Sequence, residues 1–180
     1  GNFIGTDATG AVQLGNTVGV QITDASENVI GGTTDTVRNV ISGNSIGLQI
    51  GGTNELNTPK ENRIEGNYIG TDAAGDTAVG NGTGVVIINA HNTRIGGSHA
   101  GAGNLISGNQ GNGVWLSGYF GLSGLGKGTE ILGNRIGTTA DGLSPLGNAG
   151  AGVVVANDGI ALVGGIAAGE GNTIAFNEGD

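Results

Sequence analysis

The residues best equipped for chemistry sit in the stretch GNYIGTDAAGD, where Thr71, Asp72 and Asp76 fall within six positions. Two carboxylates beside a hydroxyl and backbone carbonyls suit the all-oxygen shell of a calcium ion. Asp72 can instead cap a turn by accepting hydrogen bonds from amides two or three residues on. The chain holds two counterparts, GNFIGTDATGA from Gly1 and GNRIGTTADGL from Gly133. The first keeps Asp7 but has Ala11 where Asp76 stands. The second has Thr139 in place of Asp72, with Asp141 two residues later. A calcium site repeated by design keeps its ligands, so capping is the expected role. Asp72 and Asp76 stay the metal candidates, with calcium the ion they would take and no other cofactor expected.

Trp115 is the only tryptophan. With Tyr119 and Gln49 it would offer an aromatic platform and an amide to a sugar ring; alternatively, the segment from Tyr119 to Gly128 folds back and covers it. GLSGLGK, Gly121 to Lys127, begins like a phosphate-binding loop, but Gly128 stands where that loop needs Ser or Thr. His91 and His99 are eight residues apart with no cysteine or matched acid, which fits solvated loop histidines. Asn81-Gly82-Thr83 is a glycosylation sequon.

These residues are embedded in a repeat. Gly-Asn-x-Ile or a near equivalent occurs six times, at Asn2, Asn39, Asn67, Asn104, Asn134 and Asn172. A glycine followed by alternating apolar residues recurs at Gly19, Gly47, Gly84, Gly113 and Gly152. From each Gly to the next Asn is 20 or 21 residues, whereas from each Asn to the next Gly alternates between 17–18 and 8–9. A third apolar point, at Ile30, Ile64, Ile95, Ile131 and Val163, follows each Gly by 11 or by 17–18 residues, again in alternation. The complete period is therefore a pair of units, 65–67 residues long.

Gly and Asn at this density disfavour helix interiors, and the apolar residues alternate with period two. Three short strands recurring in the same cyclic order predict an all-β parallel solenoid, three strands per turn and five to six turns, with turns about 4.8 Å apart. Parity places Val20 and Ile22, Leu48 and Ile50, Val85 and Ile87, Val114 and Leu116, and Val153 and Val155 inside. Ile4, Ile41, Ile69, Ile106, Ile136 and Ile174 line another wall. The six asparagines suit an amide ladder at strand spacing. The outward row of the Gly-led strands is Gln21, Gln49, Val86, Trp115 and Val154, and the next is Thr23, Gly51, Ile88, Ser117 and Ala156. Neither holds an acid or a base for general acid–base or nucleophilic catalysis.

The composition fits this design. The 180 residues include 41 glycines, two prolines and no cysteine, with 3% aromatics. The length suits a single domain over 1–180. The net charge of −9 and the scatter of the six cations along the chain disfavour nucleic acid, and no apolar run is long enough for membrane insertion. The chain starts inside a strand and ends mid-pattern, so it is expected to be a segment of a longer repeat protein or a filament subunit. Its ends would meet flanking repeats or copies of itself.

With NRIEGNYIGTDAAG, RNVISGN, GNLISGN and the GVxI strands, the sequence resembles the right-handed parallel β-helix proteins of the pectate-lyase-like superfamily. More narrowly, it is similar to repeat segments of long secreted or surface-exposed bacterial proteins. The resemblance covers essentially the whole chain. It implies a right-handed coil and an extracellular or cell-surface location. It also implies one of two roles: a non-catalytic structural or adhesive module, or a carbohydrate-active or carbohydrate-binding β-helix acting on polysaccharide.

Overall fold

The computed structural model describes residues 1–53, 57–118, 128–157 and 159–179. Among the described residues, sixteen short strands form three sheets in which every strand pair is parallel. The first sheet runs β1 (Phe3–Ile4), β4 (Val40–Ile41), β7 (Tyr68–Ile69), β10 (Leu105–Ile106), β13 (Arg135–Ile136) and β16 (Thr173–Ile174). The second contains the Gly-led strands β2 (Val18–Thr23), β5 (Ile46–Gly51), β8 (Thr83–Ile88), β11 (Val114–Ser117) and β14 (Val153–Ala156). The third runs β3 (Val29–Gly31), β6 (Arg63–Glu65), β9 (Arg94–Gly96), β12 (Thr129–Leu132) and β15 (Ala161–Val163). Each strand pairs with the strand three places along the chain, the order expected of a solenoid with three strands per turn. Among the described residues the only helical element is a 3₁₀ turn, Asp35–Val37, and no helix is long and apolar enough to cross a membrane.

The register stacks like on like. Ile4, Ile41, Ile69, Ile106, Ile136 and Ile174 are consecutive partners across the first sheet. Ile30, Ile64, Ile95, Ile131 and Val163 do the same across the third. In the second sheet Leu48, Val85 and Val114 form one inward row, and Ile50, Ile87 and Leu116 the other. All are buried in one apolar cluster with the isoleucines of the other two sheets. Fully burying one such side chain contributes roughly 1.5–3 kcal/mol, so the stacked rows are the main source of stability.

The inward assignment holds in register but not in burial at the outermost strands. Val155, Val163 and Ile174 are 44–46% exposed, because no further strand packs beside β14, β15 and β16. Val20, Ile22 and Val153 are half-buried for the same reason.

The corners are held by asparagine. Asn2, Asn39, Asn67, Asn104, Asn134 and Asn172 form the expected ladder, each Nδ2 donating to the Oδ1 of the next at 2.8–3.1 Å. Each Oδ1 also accepts the backbone N–H of the preceding Asn. The remaining amide proton is given to a strand carbonyl, as from Asn67 to Ile30 and from Asn104 to Ile64. A second ladder, unforeseen from the sequence, runs through Asn16, Asn44, Asn81, Asn109, Asn148 and Asn177 at 2.7–3.1 Å. Its members repeat the pattern, with Nδ2 donating to Ile4, Ile41, Ile69, Ile106 and Ile136 carbonyls. Buried amides at two corners are thus paired on both sides, which is the condition for burying them without cost.

Gly70 shows why glycine is so frequent at these corners. Its φ is +96°, and a Cβ there would lie 2.3 Å from both the Ser107 carbonyl oxygen and the Asn109 Oδ1. A side chain would push adjacent strands apart at the ladder.

Candidate functional site

Asp72 lies in the second of three long arcs among the described residues, the one that leaves the first sheet at Gly70 and returns at Val79. Thr71 and Ala78 close it as an antiparallel bridge, with the Asp72 N–H donating to the Thr77 carbonyl and the Val79 N–H to the Gly70 carbonyl. Matching arcs are closed by Thr6 with Gln13 and by Thr138 with Pro145. The Asp72 Oδ1 accepts from the N–H groups of Gly75, Asp76 and Thr77 at 2.8, 3.2 and 3.3 Å. Asp72 is therefore turned into its own arc as a cap. Asp76 is exposed, and its Oδ1 accepts the Thr77 hydroxyl. Among the described residues no three His, Cys, Asp or Glu side chains are grouped to hold a metal ion.

The counterparts cap by the same logic with different atoms. Asp7 Oδ1 accepts the Thr9 hydroxyl and the N–H groups of Thr9, Ala11 and Val12. The Thr9 hydroxyl first, then the Val12 amide, hold this carboxyl below its ordinary value. In the third arc the cap is split: Asp141 accepts the Thr139 hydroxyl and the Leu143 N–H, while Thr139 accepts the Ser144 N–H. Its carboxyl is lowered mainly by that hydroxyl, then by the Leu143 amide.

The arcs also touch one another across the intervening unit. The Ala140 N–H donates to the Gly75 carbonyl. A Cβ on Gly75, whose φ is +76°, would sit 2.8 Å from the Ala140 Cβ and from the Tyr68 ring. Ser42 fills the gap beneath, donating to the Thr71 carbonyl at 2.7 Å and accepting the Gly70 N–H.

The sugar-binding candidates are only partly brought together. Gln49 and Trp115 share the outward row of the second sheet, but Val86 lies between them, so they stand two strand spacings apart, roughly 9.6 Å. Trp115 is half-buried. Tyr119, like Gly121 to Lys127, lies outside the described residues. The outward rows match those expected, yet Val86 and Ser117 are each only 7% exposed. Ser117 donates to the Gly118 carbonyl and accepts the Asn157 amide. The sequon is blocked as it stands: Asn81 is fully buried, with Nδ2 committed to the Ile41 carbonyl and Asn109 Oδ1.

Among the described residues, a charged cluster lies on the third sheet instead. Arg63 and Arg94 are direct partners on neighbouring strands. Glu65, 7% exposed, receives Arg94 Nη2 at 2.6 Å, and Arg63 Nη1 is 3.8 Å away. Glu130 is exposed and pairs in register with Arg94. Lys60 and His91 form a parallel bridge just before these strands. Burial first, then the Lys60 charge, push the His91 imidazole below its ordinary value. The signal for this cluster was present in the sequence, since Arg63 and Arg94 each precede the third apolar point by one residue. Parity puts both outside, and the repeat puts them side by side. His99 stands apart, exposed in the segment after β9.

No protein-family model, curated protein or solved structure matches the chain.

Proposed function

We propose that the chain is a non-catalytic structural or adhesive module, built as a right-handed parallel β-helix, of a secreted or cell-surface protein. The observation that carries this reading is the continuity of the two asparagine ladders through all six units. At two corners of every unit an asparagine side chain bonds the neighbouring units, an arrangement suited to a rod. Right-handedness follows from the strong bias of parallel crossovers, and the pectate-lyase-like resemblance supports the extracellular location. The outermost strands of each sheet have a free edge, and such edges are templates for further pairing. Flanking repeats or a second copy of the chain would cover them.

A second reading, carbohydrate binding, is favoured by one observation: Trp115 retains an accessible face in an outward row with Gln49. A glycan array joined to a digest of polyuronates and neutral polysaccharides tests both readings. The structural role predicts no released product. Release of product from any polymer would overturn it, and glycan binding abolished by Trp115→Ala would establish the second reading. Sedimentation at rising concentration separates the two partners for the edges: growth in size assigns copies, and a constant monomer assigns flanking repeats.

A further inference from the structure

We infer that Arg63 and Arg94 form a two-pronged receptor for a single small oxyanion of the sulfate or phosphate type on the outer face of the third sheet. The two side chains start from directly paired positions, about 4.8 Å apart. Like charges placed opposite one another on a sheet are destabilising. Three of the six lysines and arginines, Lys60, Arg63 and Arg94, meet in this region of a chain whose net charge is −9. A shared anion is what would relieve that repulsion.

The protein itself relieves it only in part. Two guanidinium groups present ten N–H donors, and the carboxylate between them, Glu65, engages one Nη2 closely and one Nη1 at 3.8 Å. Arg94 Nε is buried and has no partner among the described residues. Arg38 shows what full use looks like: its Nε donates to the Gly66 carbonyl, Nη2 pairs with Asp35, and its guanidinium lies 4.1 Å from the centre of the Tyr68 ring. Arg63 remains about half exposed and Arg94 about one-third, and their paired register places both on the outer face of the third sheet.

The surroundings set the size of the ligand. In register along the row, Val29 precedes Arg63, Glu130 follows Arg94 and Leu162 comes next. The positive stretch is two strands wide and is bounded by an apolar residue on one side and a carboxylate on the other. A long polyanion would run onto Glu130, whereas one oxyanion fits between the forks. Planar guanidinium groups favour bidentate contact with such ions.

The test follows the arginine Nε–Hε resonances of the 180-residue chain by NMR during titration with sodium sulfate, with chloride holding ionic strength constant. Saturable shifts are expected at Arg63 and Arg94 and none at Arg135. Arg63→Gln, at an exposed position, weakens the affinity by about tenfold, the loss of one charge-assisted contact. Glu65→Gln removes the internal competitor and strengthens sulfate binding several-fold. A purely structural ion-pair cluster gives the opposite sign or no change. Shifts that fail to saturate, equal shifts at Arg135, or weaker binding by Glu65→Gln would each overturn the proposal. Repeating the titration with glucose 6-sulfate separates sources: equal affinity assigns a free inorganic ion, and tighter binding assigns an anion carried on a sugar. Binding of neither refutes the site.

Discussion

Replacing Asn67 by Ala cuts the first ladder at its most buried member. Asn67 is fully buried; its Oδ1 accepts from the Asn39 Nδ2 at 2.9 Å and from the Asn39 N–H at 3.4 Å. Its own Nδ2 donates to Asn104 Oδ1, the Ile30 carbonyl and the Glu65 carbonyl. Truncation leaves two to three buried polar groups short of a partner. At roughly 1–3 kcal/mol for each group left unsatisfied, the expected loss is about 3–5 kcal/mol. Asn2 offers the internal control. It is exposed, it donates to Asn39, and the Asn2 backbone N–H keeps Asn39 Oδ1 occupied after truncation. Asn2→Ala is therefore expected to cost about 0.5–1 kcal/mol. Urea unfolding followed by circular dichroism and Trp115 fluorescence compares the two. If Asn67→Ala falls within 1 kcal/mol of Asn2→Ala, each asparagine is only a local turn former, and the ladder carries none of the stability assigned to it.

Further outcomes follow from other residues. Val85 is fully buried in the core, and Val85→Asp is expected to abolish the cooperative β-type transition; an unchanged melting temperature refutes its inward position. Thr93 is fully buried and its hydroxyl has no partner among the described residues, so Thr93→Val is expected to raise stability by about 1 kcal/mol in the same urea assay. The buried Asn81 predicts that expression in a glycosylating host leaves the intact mass unchanged, whereas a glycan at Asn81 requires that segment to open. Asp7 and Asp141 are held below their ordinary value of 3.8 when folded. Their stabilising effect is complete above that value and disappears as pH falls through the lower folded one. The double variant Asp7→Asn/Asp141→Asn is expected to be less stable than wild type at pH 7, with the gap closing in melts below about pH 4.

The rows of the three sheets were legible because parity and repetition reinforce one another. Ile41, Ile69 and Ile106 occupy the same place in the same words, so register followed from alignment alone. The second ladder was hidden by loop length. Asn16, Asn81 and Asn148 lie 14 residues after their first-ladder partners, and Asn44, Asn109 and Asn177 only five. The long arcs interrupt the spacing without moving the corner, so the sequence period disguises a constant structural one. Arg63 and Arg94 carry a weaker signal, because the strands of the third sheet are only three to four residues long and their outward row has no glycine-led motif to mark it. Val86 and Ser117 stand in the outward rows expected from parity, but parity does not convey their low exposure. The turn-capping role of Asp72 was readable from its arc, since an aspartate can bond amides only a few residues away without any partner from elsewhere.

The asparagine ladders give the stacked strands a direction. In every described rung the side-chain amide donates toward the C-terminal neighbour and accepts from the N-terminal one. Their dipoles add rather than cancel, and aligned hydrogen bonds polarise one another. A cross-section taken anywhere along the coil therefore exposes amide N–H groups on one cut face and carbonyl oxygens on the other. Two unlike faces can mate, while two like faces bring donor against donor. Were a second copy to stack along this axis, the ladders would favour a head-to-tail contact, which propagates instead of closing as a two-fold dimer.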